Sequence, residues 1–295
     1  MRRNILTNTK IMPYLFLLPF ILFFLIFRLW PILWSFFISF FSYNGTNVFE
    51  FVGLKNYISL VKDGTFLTSV WNTLFIVIVY NVIMILFAMV LATLLSSDFL
   101  RGRRIYRSIY FIPIAMSLPV VSMVFDLIFA RNGGLIAAIM QLFGQTLTVR
   151  WLNDMTLAMW GIIIMKVWRA MGYYCAYFLA GLSSIPSDVY ESAKIDGAGP
   201  IVTFWKITVP LIKPTILFVA IMSSILSFQT FEEPWILTQG GPANSTLTLQ
   251  IFLYKTSFLE GNLGLGSAVA YIMTILMMGF SILYVNRLSD KEDKI

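Results

Sequence analysis

The chain has 295 residues, of which 59% are hydrophobic and 12% charged, and its formal net charge is +7. Since soluble domains carry about 25% charged residues, this composition excludes an ordinary soluble fold. The single cysteine, Cys175, excludes a disulfide framework and is expected to be an inert thiol in an apolar run. The absence of histidine removes the commonest metal ligand, so we predict no metal site. No P-loop sequence is present, so the chain does not bind ATP by that device.

Six apolar stretches follow one another, each long enough to cross about 30 Å of hydrocarbon as a helix of about 20 residues. Unbroken apolar runs favour helices over alternating strands. The sequence therefore predicts an all-α membrane helix bundle that forms a single transmembrane domain over residues 1–295. The first stretch contains three prolines, so a tilt or break is expected there. The predicted spans are about 11–41, 70–95, 109–130, 157–182, 215–237 and 265–285.

The basic residues are divided unequally between the two sides of these spans. The two termini and the loops after spans two and four carry thirteen of them, against five in the opposite loops. Because cytoplasmic loops are enriched in Lys and Arg, both termini and the loop 183–213 are predicted to be cytoplasmic. The thirteen are Arg2, Arg3, Lys10, Arg101, Arg103, Arg104, Arg107, Lys194, Lys206, Lys213, Arg287, Lys291 and Lys294.

The loop after span four has the sequence features of an ordered helix–turn–helix. Pro186 ends span four, and Asp188 is predicted to cap a short helix, with Glu191 completing a capping box. Gly197 suits the left-handed position that ends this helix. Pro200 suits the first position of a second helix, and Pro210 and Pro214 are expected to break the chain before span five. One side of the second helix is predicted to be buried through Ile201, Phe204 and Trp205.

Small and acidic residues in this loop would let the backbone of a partner approach closely. The alternative is a plain connecting loop in which Glu191 serves only as a cap. The candidate docking residues are Glu191, Ser192, Ala193, Asp196, Gly197 and Ala198.

Polar residues inside spans four and five suggest a substrate path. A Lys or Arg at mid-membrane costs about 2.5–3.5 kcal/mol, so Lys166 and Arg169 are expected to face the bundle interior. Hydroxyls and aromatic rings on two helical faces would suit a sugar. The candidate path residues are Lys166, Arg169, Ala170, Tyr173, Tyr177, Ser223, Ser227 and Thr230.

Structural alternatives remain for these residues. The hydroxyls can bond to carbonyls of their own helix, and the two cations can pair with acidic residues. An unpaired cation would instead favour an anionic substrate. The acidic candidates are Glu232, Glu233 and Asp126.

Two motifs resemble those of permease subunits in ATP-driven importers. I-P-x-D-x-Y-E-S-A-x-x-D-G-A followed by F-x-x-I-T-x-P, at 185–210, resembles the EAA loop, with Ser192 where alanine is usual. L-T-x-G-G-P, which includes the turn Gly240, Gly241 and Pro242, resembles the signature of carbohydrate importers. The W-N-T at 71–73, R-G-R-R-I-Y-R at 101–107, F-I-P at 111–113 and W-L-N-D at 151–154 agree with it.

The resemblance covers essentially the whole chain and implies a type I ABC importer permease of the maltose or glycerol-phosphate type, in its compact six-span form. It implies a bacterial cell-membrane protein without catalytic residues. The expected partners are a second homologous permease, a sugar-binding protein outside the cell membrane, and two cytoplasmic ATPase subunits that bind ATP and Mg²⁺. The six loop residues would form the surface that the ATPase grips.

Other functions stay open at this stage. An ion-driven secondary carrier could use the charged residues of spans four and five as a proton relay. The same machinery could import a phosphorylated polyol, an amino acid or a peptide. An intramembrane protease is disfavoured, because the chain has no histidine and no convincing pair of mid-span aspartates.

Overall fold

The computed structural model describes residues 12–96, 102–130, 134–145 and 150–289. Contacts divide the chain into two compact units, the first formed by residues up to 62 with 253–272, the second by 63–252 with the residues from 273 onward. Some of the basic residues used to predict orientation lie outside the described residues: Arg2, Arg3, Lys10, Arg101, Arg131, Lys291 and Lys294.

The first unit begins with a long apolar helix, α1, at Met12–Ile38. Within it, Leu25–Leu29 form a π turn, closed by the N–H of Trp30 donating to the Leu25 carbonyl. Pro31 lies two residues after this wider turn, which adjusts the helical pitch locally. The helix is continuous from Met12 to Ile38, so the expected break is absent. Only Ile38 of α1 is buried.

A short hairpin follows α1, so the first unit is not purely helical. Strands β1, Phe41–Tyr43, and β2, Phe49–Phe51, pair antiparallel. The next helix, α2, spans Lys55–Lys62. Its Asn56 amide donates to the carbonyls of Ser39, at 2.8 Å, and Phe41, at 2.9 Å. These bonds satisfy the backbone where the chain leaves α1 for the hairpin.

The second unit is built on two long helices, α3 at Gly64–Ser96 and α7 at Leu157–Ser183, which pack along each other. Helix α10, Lys213–Phe228, packs against both. Large apolar side chains fill the space between them, as burial of apolar area requires. The fully buried ones include Ile76, Met84, Ile163, Phe178, Ile212 and Val219.

Shorter helices complete this unit. Helix α4 is Arg103–Ala115 and helix α5 is Leu118–Phe129, and the two meet at a bend of 99°. Helix α6 spans Leu135–Leu142, and a single 3₁₀ turn lies at Trp151–Asn153. The other short helices of the second unit are α8 at Ser187–Ile195, α9 at Pro200–Leu211 and α11 at Glu232–Thr238. Helices α12 at Leu249–Tyr254 and α13 at Leu263–Ser289 each include residues of both units, and the π turn at Lys255–Leu259 belongs to the first.

The predicted all-α membrane helix bundle is confirmed. In the described part of the chain, three single helices are long and apolar enough to cross a membrane: α1, α3, and Leu263–Asn286 of α13. The bent pairs α4–α5 and α9–α10 raise the number to five. The remaining predicted span, 157–182, coincides with α7, the 27-residue helix that carries Lys166 and Arg169. The exact limits of the spans stay predictions.

Candidate functional site

The helix α8 of the polar loop starts differently from the prediction. Its N-terminal cap is Pro186, and no side chain bonds the first turn. Asp188 lies inside that turn, where its charge favours the helix dipole, and it accepts a hydrogen bond of 3.3 Å from the Ser187 hydroxyl. The predicted capping box of Asp188 and Glu191 is therefore wrong. The extended backbone of Pro186 starts the helix two residues earlier than the box requires.

The end of α8 follows the prediction. Gly197 has φ +77°, which is the left-handed conformation that glycine adopts without a Cβ penalty. Its N–H donates to the Lys194 carbonyl at 3.1 Å, and the N–H of Ala198 donates to the Ala193 carbonyl at 2.9 Å. These two bonds form a Schellman motif. The turn into α9 is thus fixed by local backbone geometry.

Helix α9 begins at Pro200, as predicted. The predicted buried side is wrong, because Ile201 is 75% exposed and Trp205 is 55% exposed. Only Phe204 packs partly into the core of the second unit. The periodicity correctly predicted one apolar face, but the described residues leave most of that face uncovered.

The prolines at the end of the loop have different effects. Pro210 does not break α9, because the π turn Phe204–Thr208 precedes it and the helix continues to Leu211. The bend of 71° falls at the following residue, Ile212. Pro214 lies in the first turn of α10, where its missing N–H leaves no bond unmade. Span five therefore starts from a sharp, defined corner.

The loop presents most of its predicted docking residues on the surface. Glu191, Ser192, Asp196 and Gly197 are exposed and Ala198 is half-buried. Ala193 is buried and lies on the inner side of α8. Ile195, which was not among the predicted docking residues, is 86% exposed beside the turn. The described loop thus combines acidic, small and apolar groups on one accessible stretch.

A cavity of about 410 Å³ lies inside the second unit, between α3, α7 and α10. It brings together six of the eight predicted path residues, namely Lys166, Arg169, Ala170, Tyr173, Ser223 and Ser227. The sequence analysis did not place the other lining residues on the path: Tyr80, Ile114, Tyr174, Leu226 and Glu233. The sequence gives no indication that Tyr80 and Ile114 line a cavity, since each lies in a uniformly apolar stretch.

The remaining two path residues lie outside this cavity. Tyr177 lines a small neighbouring cavity, and its hydroxyl lies 2.8 Å from that of Tyr173. Thr230 is buried and donates to the Ser227 carbonyl at 2.7 Å. The Ser227 hydroxyl in turn donates to the Ser223 carbonyl at 2.7 Å. Bonding within the helix, the alternative considered for these hydroxyls, is thus present, and their substrate role stays a prediction.

The cavity contains one ion pair. Lys166 Nζ lies 3.2 Å from Glu233 Oε1, with side chains only 11% and 9% exposed. The ammonium group also lies 5.1 Å from the centre of the Tyr80 ring, within range of a cation–π interaction. This geometry confirms that Lys166 pairs with one of the acidic candidates. Asp126 and Glu232 are exposed.

Arg169 has a different environment. Its Nε atom is buried and has no hydrogen-bond partner among the residues that the structure describes. The guanidinium nevertheless lines the same cavity as the ion pair.

The start of α7 is held by Asp154, which precedes the helix. Its carboxylate accepts from the Thr156 hydroxyl at 2.7 Å, the Thr156 N–H at 2.8 Å and the Leu157 N–H at 3.0 Å. These hydrogen bonds lower the pKa of the exposed Asp154 carboxyl below its ordinary value, and the bond from the Thr156 hydroxyl has the largest effect. Asp154 thereby supplies an acceptor for the Leu157 N–H at the start of the helix that carries Lys166 and Arg169.

The glycine turn after α11 is tied to a distant motif. Gly240 has φ +87°, and Asn244 has φ +63°. The Asn72 amide donates to the Asn244 carbonyl at 2.8 Å and to the Leu247 carbonyl at 3.0 Å. The neighbouring Thr73 hydroxyl accepts the Leu249 N–H at 2.8 Å. The W-N-T and G-G-P segments, noted separately in the sequence, therefore form one bonded structure.

Fold and site together define a multi-pass helical membrane transport protein. Residues 84–292 match the model of the binding-protein-dependent transport system inner membrane component family. The chain belongs to this family, as the sequence motifs predicted, and its members are transporters and not enzymes.

Relatives along nearly the whole chain agree with the family match. The probable ABC transporter permease protein YurN of Bacillus subtilis is 33% identical, over 93% of this chain and 94% of its own. The arabinooligosaccharides transport system permease protein AraP of the same organism is 36% identical, over 95% and 90%. A bacterial ABC transporter involved in the import of the acidic polysaccharide alginate shares the fold, with a TM-score of 0.83 at 20% identity over 95% of both chains.

Proposed function

We propose that residues 1–295 form one permease domain that is half of the membrane pathway of an ATP-driven carbohydrate importer. A second, homologous permease supplies the other half. The carbohydrate assignment is supported by relatives that are named for arabinooligosaccharides and, in Rhizobium radiobacter, for lactose, at 36% and 34% identity. The chain itself carries out no covalent chemistry and holds no cofactor. It lies in the bacterial cell membrane with both termini in the cytoplasm.

The observation that carries this proposal is the ordered, exposed loop of α8 and α9. Two ATPase subunits, which hold ATP and Mg²⁺, contact this loop through Glu191, Ser192, Asp196, Gly197 and Ala198, with Ala193 supporting them from below. The exposed Ile195 and Ile201 give the partner an apolar surface to cover. A polar loop that only connected two spans would have no need of large exposed apolar side chains.

The coupling follows from the corner between α9 and α10. Helix α8 is linked to α9 by the Schellman turn and by the Tyr190 and Thr208 hydroxyls, which lie 3.3 Å apart. Helix α9 meets α10 at the 71° bend, and α10 lines the cavity through Ser223 and Ser227. Movement of the ATPase therefore reaches the cavity through a short series of helices, and switches the bundle between inward- and outward-facing states.

At the other side of the membrane, an extracellular or periplasmic binding protein delivers the carbohydrate to the outer loops. The turn Gly240, Gly241 and Pro242 belongs to this side. Because Asn72 and Thr73 hold the segment after the turn, this part of the outer surface has one defined shape that a partner can recognise.

The decisive experiment is transport by the complete complex in proteoliposomes. Uptake of a labelled oligosaccharide should require ATP inside the vesicle and the binding protein outside it. Without the ATPase subunits, a proton gradient should drive no uptake. Uptake driven by the gradient alone would instead establish an ion-coupled carrier and overturn the proposal.

A further inference from the structure

The charges that line the cavity of the second unit do not cancel. Lys166 and Glu233 neutralise each other across 3.2 Å. Arg169 is the third charged residue in the lining, and its buried Nε has no partner within the described ranges. An arginine keeps its proton in proteins. The cavity therefore holds one net positive charge.

A buried, unbalanced cation is costly at membrane depth. A mid-membrane arginine already costs about 2.5–3.5 kcal/mol on insertion scales, and an unpaired buried charge adds to that cost. Arg169 is half-buried, lines the cavity and has a buried Nε without a partner in the described part of the chain, so the cavity offers a place where an anion can bind. A guanidinium also offers planar, paired donors that match a carboxylate or phosphate.

The other polar groups of the cavity favour the same conclusion. The hydroxyls of Ser223 and Ser227 donate to carbonyls of their own helix, and Ser227 also accepts from the Asn81 amide, so neither offers a ligand a free donor. Lys166 is engaged with Glu233. Arg169 therefore offers a ligand charged donors, while the half-buried Tyr173 can cover the apolar face of a sugar ring.

We propose that this cavity binds the anionic group of an acidic saccharide at Arg169, so that the transported carbohydrate carries a carboxylate or a phosphate. The proposal rests on the proposed function and narrows its substrate class. A neutral sugar hydroxyl could accept one hydrogen bond from Arg169, but it would leave the positive charge unbalanced.

The test measures binding to the membrane complex itself. The permeases and ATPases are placed in nanodiscs without the binding protein, so that its own selectivity does not contribute. Two matched pairs are used as labelled probes: digalacturonate with its carboxyl-reduced neutral form, and maltose 1-phosphate with maltose. At least one acidic member should bind at least tenfold more tightly than its neutral partner. The pair that shows the difference identifies the anion as a carboxylate or a phosphate.

Variants of Arg169 assign the effect to the cavity. Arg169→Met should abolish the preference, so that the acidic and the neutral member of a pair bind with the same affinity. Arg169→Lys, which keeps the charge, should retain most of the preference. Arg150→Met removes an exposed arginine outside the cavity and should change nothing. Raising the salt concentration should weaken only the acidic probes, because screening acts on charge.

Equal binding of both members of each pair, or no binding of either acidic probe, would overturn the inference. Arg169 would then pair with an acidic residue of the second permease. The proposed function would survive that result if the proteoliposomes still took up neutral oligosaccharides with ATP. Loss of ATP-dependent uptake for every carbohydrate would be the separate failure of the proposed function.

Discussion

The side-chain amide of Asn72 donates a hydrogen bond of 2.8 Å to the backbone carbonyl of Asn244, although 172 positions separate the two residues. Asn72 lies in α3, the first long helix of the second unit, and Asn244 lies in the turn that follows α11. This bond, with its companion to Leu247, holds the turn in one conformation. Asn72 therefore helps to fix the conformation of a loop that is distant from it in sequence.

Replacing Asn72 by leucine should destabilise this turn. The buried Leu247 carbonyl would lose the Asn72 donor, at a cost of about 1–3 kcal/mol, whereas the Asn244 carbonyl would keep the Leu247 N–H. The expected result is a lower thermal unfolding temperature of the purified complex and faster proteolysis near residue 244. Asn153→Leu, at an exposed position of the 3₁₀ turn, is the matched control. An unchanged melting temperature for Asn72→Leu would show that the two bonds do not stabilise the protein.

Gly172 marks a close approach of two helices. A Cβ at this position of α7 would overlap the carbonyl oxygen of Tyr110 in α4. Gly172→Ala should therefore force the helices apart and cost about 1–3 kcal/mol. Gly279, in α13, has nothing within 4 Å of an added Cβ, so Gly279→Ala should be neutral or slightly stabilising. Equal melting temperatures for the two variants would contradict this packing.

The features that depend on local chemistry were predicted correctly from the sequence. The length of the apolar runs predicted the helical bundle, and backbone conformational preferences predicted the positions of Gly197 and Pro200. The capping box failed because Pro186 already supplies the extended residue that starts α8. The predicted burial of Ile201 and Trp205 failed because periodicity identifies an apolar face and not the molecule that covers it. The ion pair of Lys166 and Glu233 was one of several that the sequence allowed. The sequence could not select it, because the choice depends on the tertiary arrangement.

The pair of Lys166 and Glu233 should behave as a coupled unit. Glu233→Gln leaves Lys166 and Arg169 as two positive charges without an acidic partner in the cavity lining, which costs about 3–5 kcal/mol. Lys166→Met leaves Glu233 with Arg169 in the same lining and should cost less. The double variant should cost clearly less than the two single losses added together. A double-mutant cycle on the melting of the purified complex measures this coupling. Additive losses would mean that the 3.2 Å contact has no energetic weight.

Asp154 should make stability depend on pH at the start of α7. Its pKa is lowered in the folded chain by the hydrogen bonds from Thr156 and Leu157. A depressed folded pKa stabilises the fold above the ordinary aspartate pKa, about 3.9, and this contribution disappears as pH falls through the folded value. Asp154→Asn keeps an acceptor but cannot titrate, so its stability should change less than the wild type's between pH 6 and acid. Parallel pH profiles would contradict this role.

Two glycines of the polar loop allow the coupling proposal to be tested with nearly identical variants. Gly197 has φ +77°, whereas Gly199 has φ −70°, and an added Cβ meets nothing within 4 Å at either position. Alanine in the left-handed conformation costs about 1–2 kcal/mol, so Gly197→Ala should loosen the turn that joins α8 to α9. Gly199→Ala should be tolerated, because its backbone already suits alanine.

In the complex with Gly197→Ala, delivery of substrate by the binding protein should no longer stimulate ATP hydrolysis. Uptake in proteoliposomes should fall severalfold, while the complex keeps its size on gel filtration and its basal ATPase rate. Glu191→Ala, which leaves the backbone intact, should weaken ATPase binding without changing the melting of the isolated permease. Gly197→Ala alters the turn, and Glu191→Ala removes the acidic contact. Normal coupling in both variants would therefore mean that the ATPase does not act through the exposed loop of α8 and α9.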